Sequence, residues 1–593
     1  MIFGKQFNRY YLKYALPLLV GILTLVAVDF FQLIIPNLYQ MVVNGLNQGW
    51  VLVDGVRLPF DMDFVVDRVC MPGILVIVSL IVGRFVWRVC FFGMGIQVEE
   101  KLRDKMFDNA RNLSQRYYQA HKVGGLMSLF TNDLDTVQEC FGWGIMMLFD
   151  AVLLTGMSMT KMFRMNWLLT LFSLIPTLLL LASATVVGRY MMKKWDVRQE
   201  AFSRLSDFSQ ESFSGMAVIK AFVKEARELM AFRKLNDENE IANVEHTRAS
   251  VLMRVLVTLF VESVICIILG YGGYLVWKGT FNAGQLVEFI GYFTTIIWPV
   301  MAVSELIDMT SRGRASLKRI GSLLDAKPEV VDAPGAEPLE QVRGEIACRN
   351  LTFRYPGGEY DVLRNVSFRI EAGENVGLVG RTGCGKTTLA DLILRTYNVP
   401  EGALFVDGRD VNRVTIRSLR AACAYVPQDN YLFSETIANN IAFAVDDYTQ
   451  AQVEEAATLA DLYSKEQEFH QGYDTLLGER GVTVSGGQKQ RISIARALMK
   501  RAPILILDDS VSAVDTRTER VILDNLRRTR KGLTTLLIAH RISTIREMDK
   551  LLYMEDGQIT AVGTHAELYE QCPGYRKMVD LQRLEEEGGT VRA

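Results

Sequence analysis

The run Gly380-Arg381-Thr382-Gly383-Cys384-Gly385-Lys386-Thr387, with Thr388 directly after it, has the spacing GxxxxGK[ST]. It follows the strand-like NVGLVG and precedes the helix-like TLADLIL. Glycines so placed let backbone N–H groups curl around phosphate oxygens at a helix N-terminus, where the helix dipole also favours anions. Lys386 is predicted to reach the terminal phosphates, and the Thr387 hydroxyl to bind magnesium. A second acidic element, Ile504-Leu505-Ile506-Leu507-Asp508-Asp509, reads as a buried strand ending in two carboxylates. Asp508 is suited to hold magnesium through water. Taken alone it is equally an ordinary strand ending in Asp at a loop.

These residues need an α/β scaffold, and the chain from Gly344 onward supplies one. Short β-rich runs such as ILILDD and TTLLIAH alternate there with helical patterns, as in a largely parallel sheet. Before Gly313 the pattern is different. A bilayer core of about 30 Å needs about 20 apolar residues per helix. Six segments approach that length: Ala15 to Pro36, Pro72 to Phe92, Phe141 to Phe163, Trp167 to Val187, Val251 to Trp277 and Leu286 to Val303. Long polar stretches with helical periodicity separate the second span from the third and the fourth from the fifth. A charged helix, SRGRASLKRIGSLLD, follows the last span, and the Pro-, Gly- and acid-rich KPEVVDAPGAEPLEQ reads as a linker. The expected organisation is a membrane domain over residues 1–325, a linker over 326–343 and an α/β nucleotide-binding domain over 344–593.

Charge orients the membrane half. Arg189 to Arg248 is rich in Lys and Arg, whereas Asn37 to Cys70 offers only Arg57 and Arg68, so both long polar stretches are predicted to face the cytoplasm. Lys5, Arg9 and Lys13 ahead of the first span agree. A signal peptide is the rival reading of that start, but the apolar run is too long and no small-residue cleavage site closes it. The net charge of −2 provides no basic field for nucleic acid. The eight cysteines form no CxxC or CxxH pattern and read as free thiols in a reducing compartment.

Val484-Ser485-Gly486-Gly487-Gln488-Lys489-Gln490-Arg491, standing before the second strand motif, completes a set that resembles the ATP-binding cassette (ABC) transporters over nearly the whole chain. The resemblance implies ATP and Mg²⁺ as cofactors. It further implies Tyr355 as the aromatic stacking on adenine, Gln428 as the Q-loop glutamine, Ser512 to Asp515 as the D-loop and His540 as the switch histidine. Thr387, Gln428 and Asp508 would hold the metal, and Asp509, His540, Gln428, Ser485 and Gly487 would serve catalysis. It implies dimerisation as well, since each nucleotide would lie between the phosphate loop of one cassette and Ser485, Gly486, Gly487 and Gln488 of the other. The membrane half resembles the exporter type. Tyr117-Tyr118 through Asn132-Asp133 and Glu211 to Phe222 look like the segments that dock onto the cassettes, and Trp298-Pro299 looks like the proline of the last span.

One position departs from the family. Where competent sites carry glutamate after the magnesium aspartate, this chain has Asp509. The carboxylate retreats by one C–C bond, about 1.5 Å, and a misplacement of about 1 Å can cost on the order of a hundredfold in rate. The expectation is a cytoplasmic-membrane half-transporter paired with a different, related chain. A homodimeric exporter and an exporter-fold importer of siderophores or metal chelates are the alternatives. Inside the spans Asp29, Arg84, Arg88 and Glu262 are costly charges, readable either as a structural ion pair or as substrate contacts. The transported substrate is not identified: aromatic and methionine-rich spans suit amphipathic drugs, lipids or peptides, and are equally ordinary lipid-facing residues.

Overall fold

The protein is described here by a computed structural model, which covers residues 8–53, 55–462, 469 and 471–590. Lys5 lies outside the described residues. The chain divides into two compact units, one comprising the chain up to Arg111 together with Gly124–Asp325, the other comprising Asn112–Val123 and the chain from Ala326 on.

The first unit is helical. Among the described residues, six helical stretches are long and apolar enough to cross a membrane: Ala15–Gln48, Met62–Asn112, Val123–Met165, Trp167–Ser214, Glu225–Trp277 and Ala283–Asp325. The first is broken after α1 (Ala15–Gln32) and resumes as α2 (Ile35–Gln48), with Pro36 in its first turn, where a missing N–H costs nothing. Gly49, in the left-handed region at φ 72°, ends α2. The antiparallel hairpin β1 (Trp50–Val53) and β2 (Val56–Pro59) follows, a feature the sequence reading did not find. The rest are α3 (Met71–Asn112), α4 (Ile145–Met165), α5 (Trp167–Ser214), α6 (Glu225–Trp277) and α7 (Ala283–Asp325).

Local chemistry sets the turns between them. Asn166 is extended and accepts from the Leu169 N–H at 2.9 Å, so α5 starts directly after α4 stops. Asn282 and Gln285 exchange backbone-to-side-chain bonds of 2.8 and 3.0 Å at the start of α7, the reciprocal pattern of a capping box. At 1.5 Å per residue the 42 to 53 residues of α3, α5, α6 and α7 reach about 63–80 Å, more than twice the bilayer core. The long polar stretches are therefore continuations of the spans. The separate charged helix expected after the last span is corrected in the same way: SRGRASLKRIGSLLD is the end of α7, and no breaker interrupts it. Leu16, Ile74, Leu75, Ile81 and Phe85 are more than half exposed, as lipid-facing side chains of spanning helices are.

The described residues of the second unit form two sheets. Strands β3 (Ile346–Phe353), β4 (Leu363–Ile370), β6 (Leu404–Val406) and β7 (Arg409–Asp410) form an antiparallel sheet in the order β4-β3-β6-β7. Strands β5 (Asn375–Gly380), β8 (Cys423–Val426), β9 (Ile504–Asp508), β10 (Thr534–Ile538) and β11 (Lys550–Glu555) are parallel, in the order β11-β5-β10-β9-β8, and β12 (Gln558–Gly563) pairs antiparallel at the β11 edge. Every residue of β9 and β10 is buried, which is why both read as continuous apolar runs. The segment read as a linker lies along this unit, where Glu337 bonds through its backbone to Arg413 and Thr415. All eight cysteines are free.

Candidate functional site

Parallel strands β5, β9 and β10 are neighbours, so their C-terminal ends deliver Gly380, Asp508 and, just past Ile538, His540 to one edge of the sheet. That edge is where open α/β sheets bind ligands. The loop leaving β5 turns through Gly383 and Gly385, both left-handed at φ 83° and 104°, and enters α8 (Lys386–Ile393). A Cβ on Gly385 would lie 2.7 Å from Leu363, so the residue is fixed both by conformation and by space.

Lys386 is buried, and its Nζ donates to the Gly380 and Arg381 carbonyls at 2.9 and 3.0 Å, folded back across the loop it is to serve. Burial lowers its pKa. Cys384, within the loop, is also buried, and burial raises its thiol above the usual range. Tyr355 donates or accepts a 2.9 Å bond with Thr388 and meets Tyr397 edge-on with ring centroids 5.1 Å apart.

Asp508 is 1% exposed and lies within hydrogen-bonding reach of Thr387 and Tyr425, yet its Oδ2 has no donor. A buried carboxylate oxygen without a partner, beside a threonine hydroxyl, is a hard-oxygen donor set of the kind magnesium takes. Burial raises the Asp508 carboxyl, against the opposing bond from Thr387. Burial, reinforced by the Lys386 charge, holds the His540 imidazole below its ordinary range, while Asp509 and Asp508 pull the other way.

Asp509 stands at φ 45°, in the left-handed region that Asp tolerates better than most residues. Its N–H donates to the Ile538 carbonyl at 2.9 Å, and its own carbonyl accepts from Ser512 Oγ at 2.9 Å and Gln490 Nε2 at 3.4 Å. Gln428 is exposed two residues past β8, the strand beside β9.

The signature residues occupy a different element. Ser485 caps α9 (Gly486–Met499), its Oγ accepting from the Gln488 N–H at 3.3 Å while Gln488 Oε1 accepts from the Ser485 N–H at 2.8 Å. Ser485 and Gly486 are exposed, and a Cβ on Gly487 would stand 3.0 Å from the Ala513 carbonyl. Gln490, 5% exposed, ties this helix to the loop after β9: its Oε1 accepts from the Ala513 N–H at 2.9 Å. Gln490 lies inside the signature run, where residue type and spacing alone give no sign of this tie.

Of the two segments that resemble docking elements, the first is divided between the two units. The helix Gln115–Ala120 belongs to the cassette unit: Arg116 pairs with Glu329 at 2.7 Å and Gln119 accepts from the Tyr397 hydroxyl at 2.9 Å. Asp133 instead serves the membrane unit, where it is buried and holds Ser316 and Arg319 of α7. The helix Met216–Ala221 leaves Val218, Phe222 and Val223 exposed on the chain. Tyr397 was not singled out from sequence, since it lies outside every motif.

A long-helix membrane unit followed by a P-loop α/β unit with a capped signature helix defines a membrane ATPase of the cassette class. The chain belongs to the ABC transporter family, matching the family described as ABC transporter transmembrane region over residues 18–300 and that described as ABC transporter over residues 363–512. It is 34% identical to the probable multidrug resistance ABC transporter ATP-binding/permease protein YheI of Bacillus subtilis, over 99% of this chain and 98% of that one. It is also 34% identical to an ATP-dependent lipid A-core flippase of Aromatoleum aromaticum, over 96% and 94%. Among solved structures, a bacterial Atm1-family ABC exporter with ATP bound superposes with a TM-score of 0.76 at 27% identity, covering 98% of this chain and 100% of that chain. The protein is an ATP-hydrolysing translocase, a multi-pass cell-membrane half-transporter that works as a dimer and couples ATP to export.

Proposed function

We propose that this chain is one subunit of a heterodimeric exporter of amphipathic compounds, that its own ATP site binds nucleotide but turns it over poorly, and that its signature completes the competent site of a related partner. The observation that carries this is the pinning of Asp509. A shorter acid can stand in for glutamate only if the backbone advances to compensate, and here Ile538, Ser512 and Gln490 hold that backbone on both its N–H and its carbonyl. The missing methylene then remains as a gap of about 1.5 Å. The exposed Ser485 and Gly486 support the other half of the reading, since they are free to face a second cassette. Mg²⁺ would be held by Thr387, Asp508 and Gln428, in keeping with the unpartnered Asp508 Oδ2. Relatives named for multidrug resistance and for lipid A-core flipping both point to an amphipathic substrate.

The test is steady-state ATPase of the assembled pair. Ser485→Ala or Gly487→Asp is expected to nearly abolish turnover, because a donor to the γ-phosphate is lost or blocked. Asp509→Asn is expected to cost much less, and Asp509→Glu to raise activity where the partner's signature is functional. Equal losses for Asp509→Asn and Gly487→Asp would favour the rival reading of two equivalent sites in a homodimer, which the presence of both Gln428 and His540 supports.

A further inference from the structure

Four membrane helices of the first unit bring polar side chains together, away from the nucleotide site. Asp29 of α1 is 1% exposed, within carboxyl-to-carboxyl hydrogen-bonding range of Asp150 of α4, and its Oδ2 has no donor. Trp298 of α7 donates its indole N–H to Asp150 Oδ2 at 3.1 Å. Arg84 of α3 acts electrostatically on both acids and donates to Gln32 Oε1 at 3.3 Å. Its helix lies against α1 here, since a Cβ on Gly83 would come within 2.4 Å of Val28.

The level of the cluster is fixed by helix rise. Asp29 stands about 21 Å along α1 from Ala15, Arg84 about 20 Å along α3 from Met71, and Trp298 about 22 Å along α7 from Ala283, which puts all of them deep within apolar segments. An aromatic wall adjoins Asp150. Trp298 meets Trp143 edge-on at 6.3 Å, and Trp143 stacks on Phe92 at 6.2 Å with the planes 3° apart. Trp298 is 42% exposed in the single chain, so the wall is open to a ligand on that side.

Charge counting makes this more than a structural ion pair. Two carboxyls face one guanidinium, so the cluster lacks one positive charge, and a buried unpaired carboxylate in an apolar medium is strongly unfavourable. Arg88 does not supply the charge, for its guanidinium lies over the Trp87 ring at 5.4 Å. Glu288, the buried acid of α7, stands about 15 Å before Trp298 along the helix and is already bonded to Tyr292 and Asn37. What is missing is a single cation that can donate a hydrogen bond to Asp29 Oδ2 and lay an apolar body along Trp298 and Trp143. We propose that Asp29 and Asp150, with the Trp298, Trp143 and Phe92 wall, form an intramembrane site for organic monocations bearing an N–H, that is, protonated primary to tertiary amines. The orphaned Oδ2 demands a donor, so the site discriminates against quaternary ammonium ions and neutral isosteres; the aromatic faces add cation–π attraction for the charge.

The assembled transporter in lipid nanodiscs tests this, with the primary ammonium probe dansylcadaverine compared against its uncharged alcohol and its trimethylammonium analogues by fluorescence titration. Charged hydrogen bonds in a buried site predict a preference for the ammonium of about tenfold or more in the parent protein. Asp29→Asn and Asp150→Asn are expected to erase that preference, while Arg84→Gln, which removes the competing cation, is expected to enlarge it. Retained binding of a fluorescent ATP analogue shows that each variant is folded. No preference in the parent, or one that persists in both aspartate variants with ATP binding intact, overturns the proposal. None of these readouts depends on whether the partner is a second copy or a different chain, so failure here leaves the heterodimer reading standing, and the reverse.

Discussion

At the scale of single residues, function in the cassette turns on burial of charge. Lys386 is buried and held by two loop carbonyls. Lys386→Ala is expected to abolish tight ATP binding at this chain's site, measured by equilibrium titration with a fluorescent ATP analogue; unchanged affinity would overturn the assignment. Asp391, in α8, gives a pH test. Burial and then the nearby Asp508 push its carboxyl up to about 6 from an ordinary 3.8. A raised carboxyl favours its protonated form in the folded state, so the fold loses stability as pH rises from about 4 through about 6. Asp391→Asn removes that penalty. Its melting temperature relative to the parent is therefore expected to climb between pH 4.5 and 7.5 in magnesium-free buffer, and a difference that is flat with pH would count against the burial argument.

Elements carry the next level of control, because each catalytic group is only as well placed as the strand or helix that ends in it. Gly380 closes β5 where β11 runs alongside, in register with Met554. A Cβ there would sit 2.2 Å from the Met554 carbonyl oxygen, a backbone atom that cannot move without breaking the strand pair. Gly380→Ala is thus expected to cost about 2 kcal/mol or more in stability and to weaken ATP binding together with it. Thermal unfolding of the purified protein checks the first, nucleotide titration the second, and a stable variant with normal affinity would show that the β5–β11 junction does not set the loop. The same logic explains Gln490, whose two-sided bonding ties the signature helix to the loop that follows Asp509.

For the whole molecule, the membrane unit is ordered by where its charges lie. Cysteine-scanning with a membrane-impermeant thiol reagent in intact cells is expected to label the Asn47 to Asp67 segment, which contains the β1–β2 hairpin, from outside, and the Arg198 to Arg248 segment only after permeabilisation. The opposite sidedness would invert the topology and with it the direction of every helix.

Local chemistry determined much of this from sequence alone. A phosphate loop is legible because its glycines and Lys386 lie within one continuous stretch, and the six spans are legible because hydrogen-bond-free lipid demands long apolar helices. Strands β9 and β10 could be read because both faces of a covered parallel sheet are apolar. What the tertiary structure alone decided is whatever depends on groups far apart in the chain. It showed that the polar stretches are extensions of the spans, because α3, α5, α6 and α7 run on without interruption, α5 and α7 even past the interior Pro176 and Pro299. It brought Tyr397 to Gln119 and gave Asp133 to α7. It set the unremarked Asp150 beside Asp29, a pairing no spacing rule encodes, since the two acids belong to different helices and meet only when those helices pack.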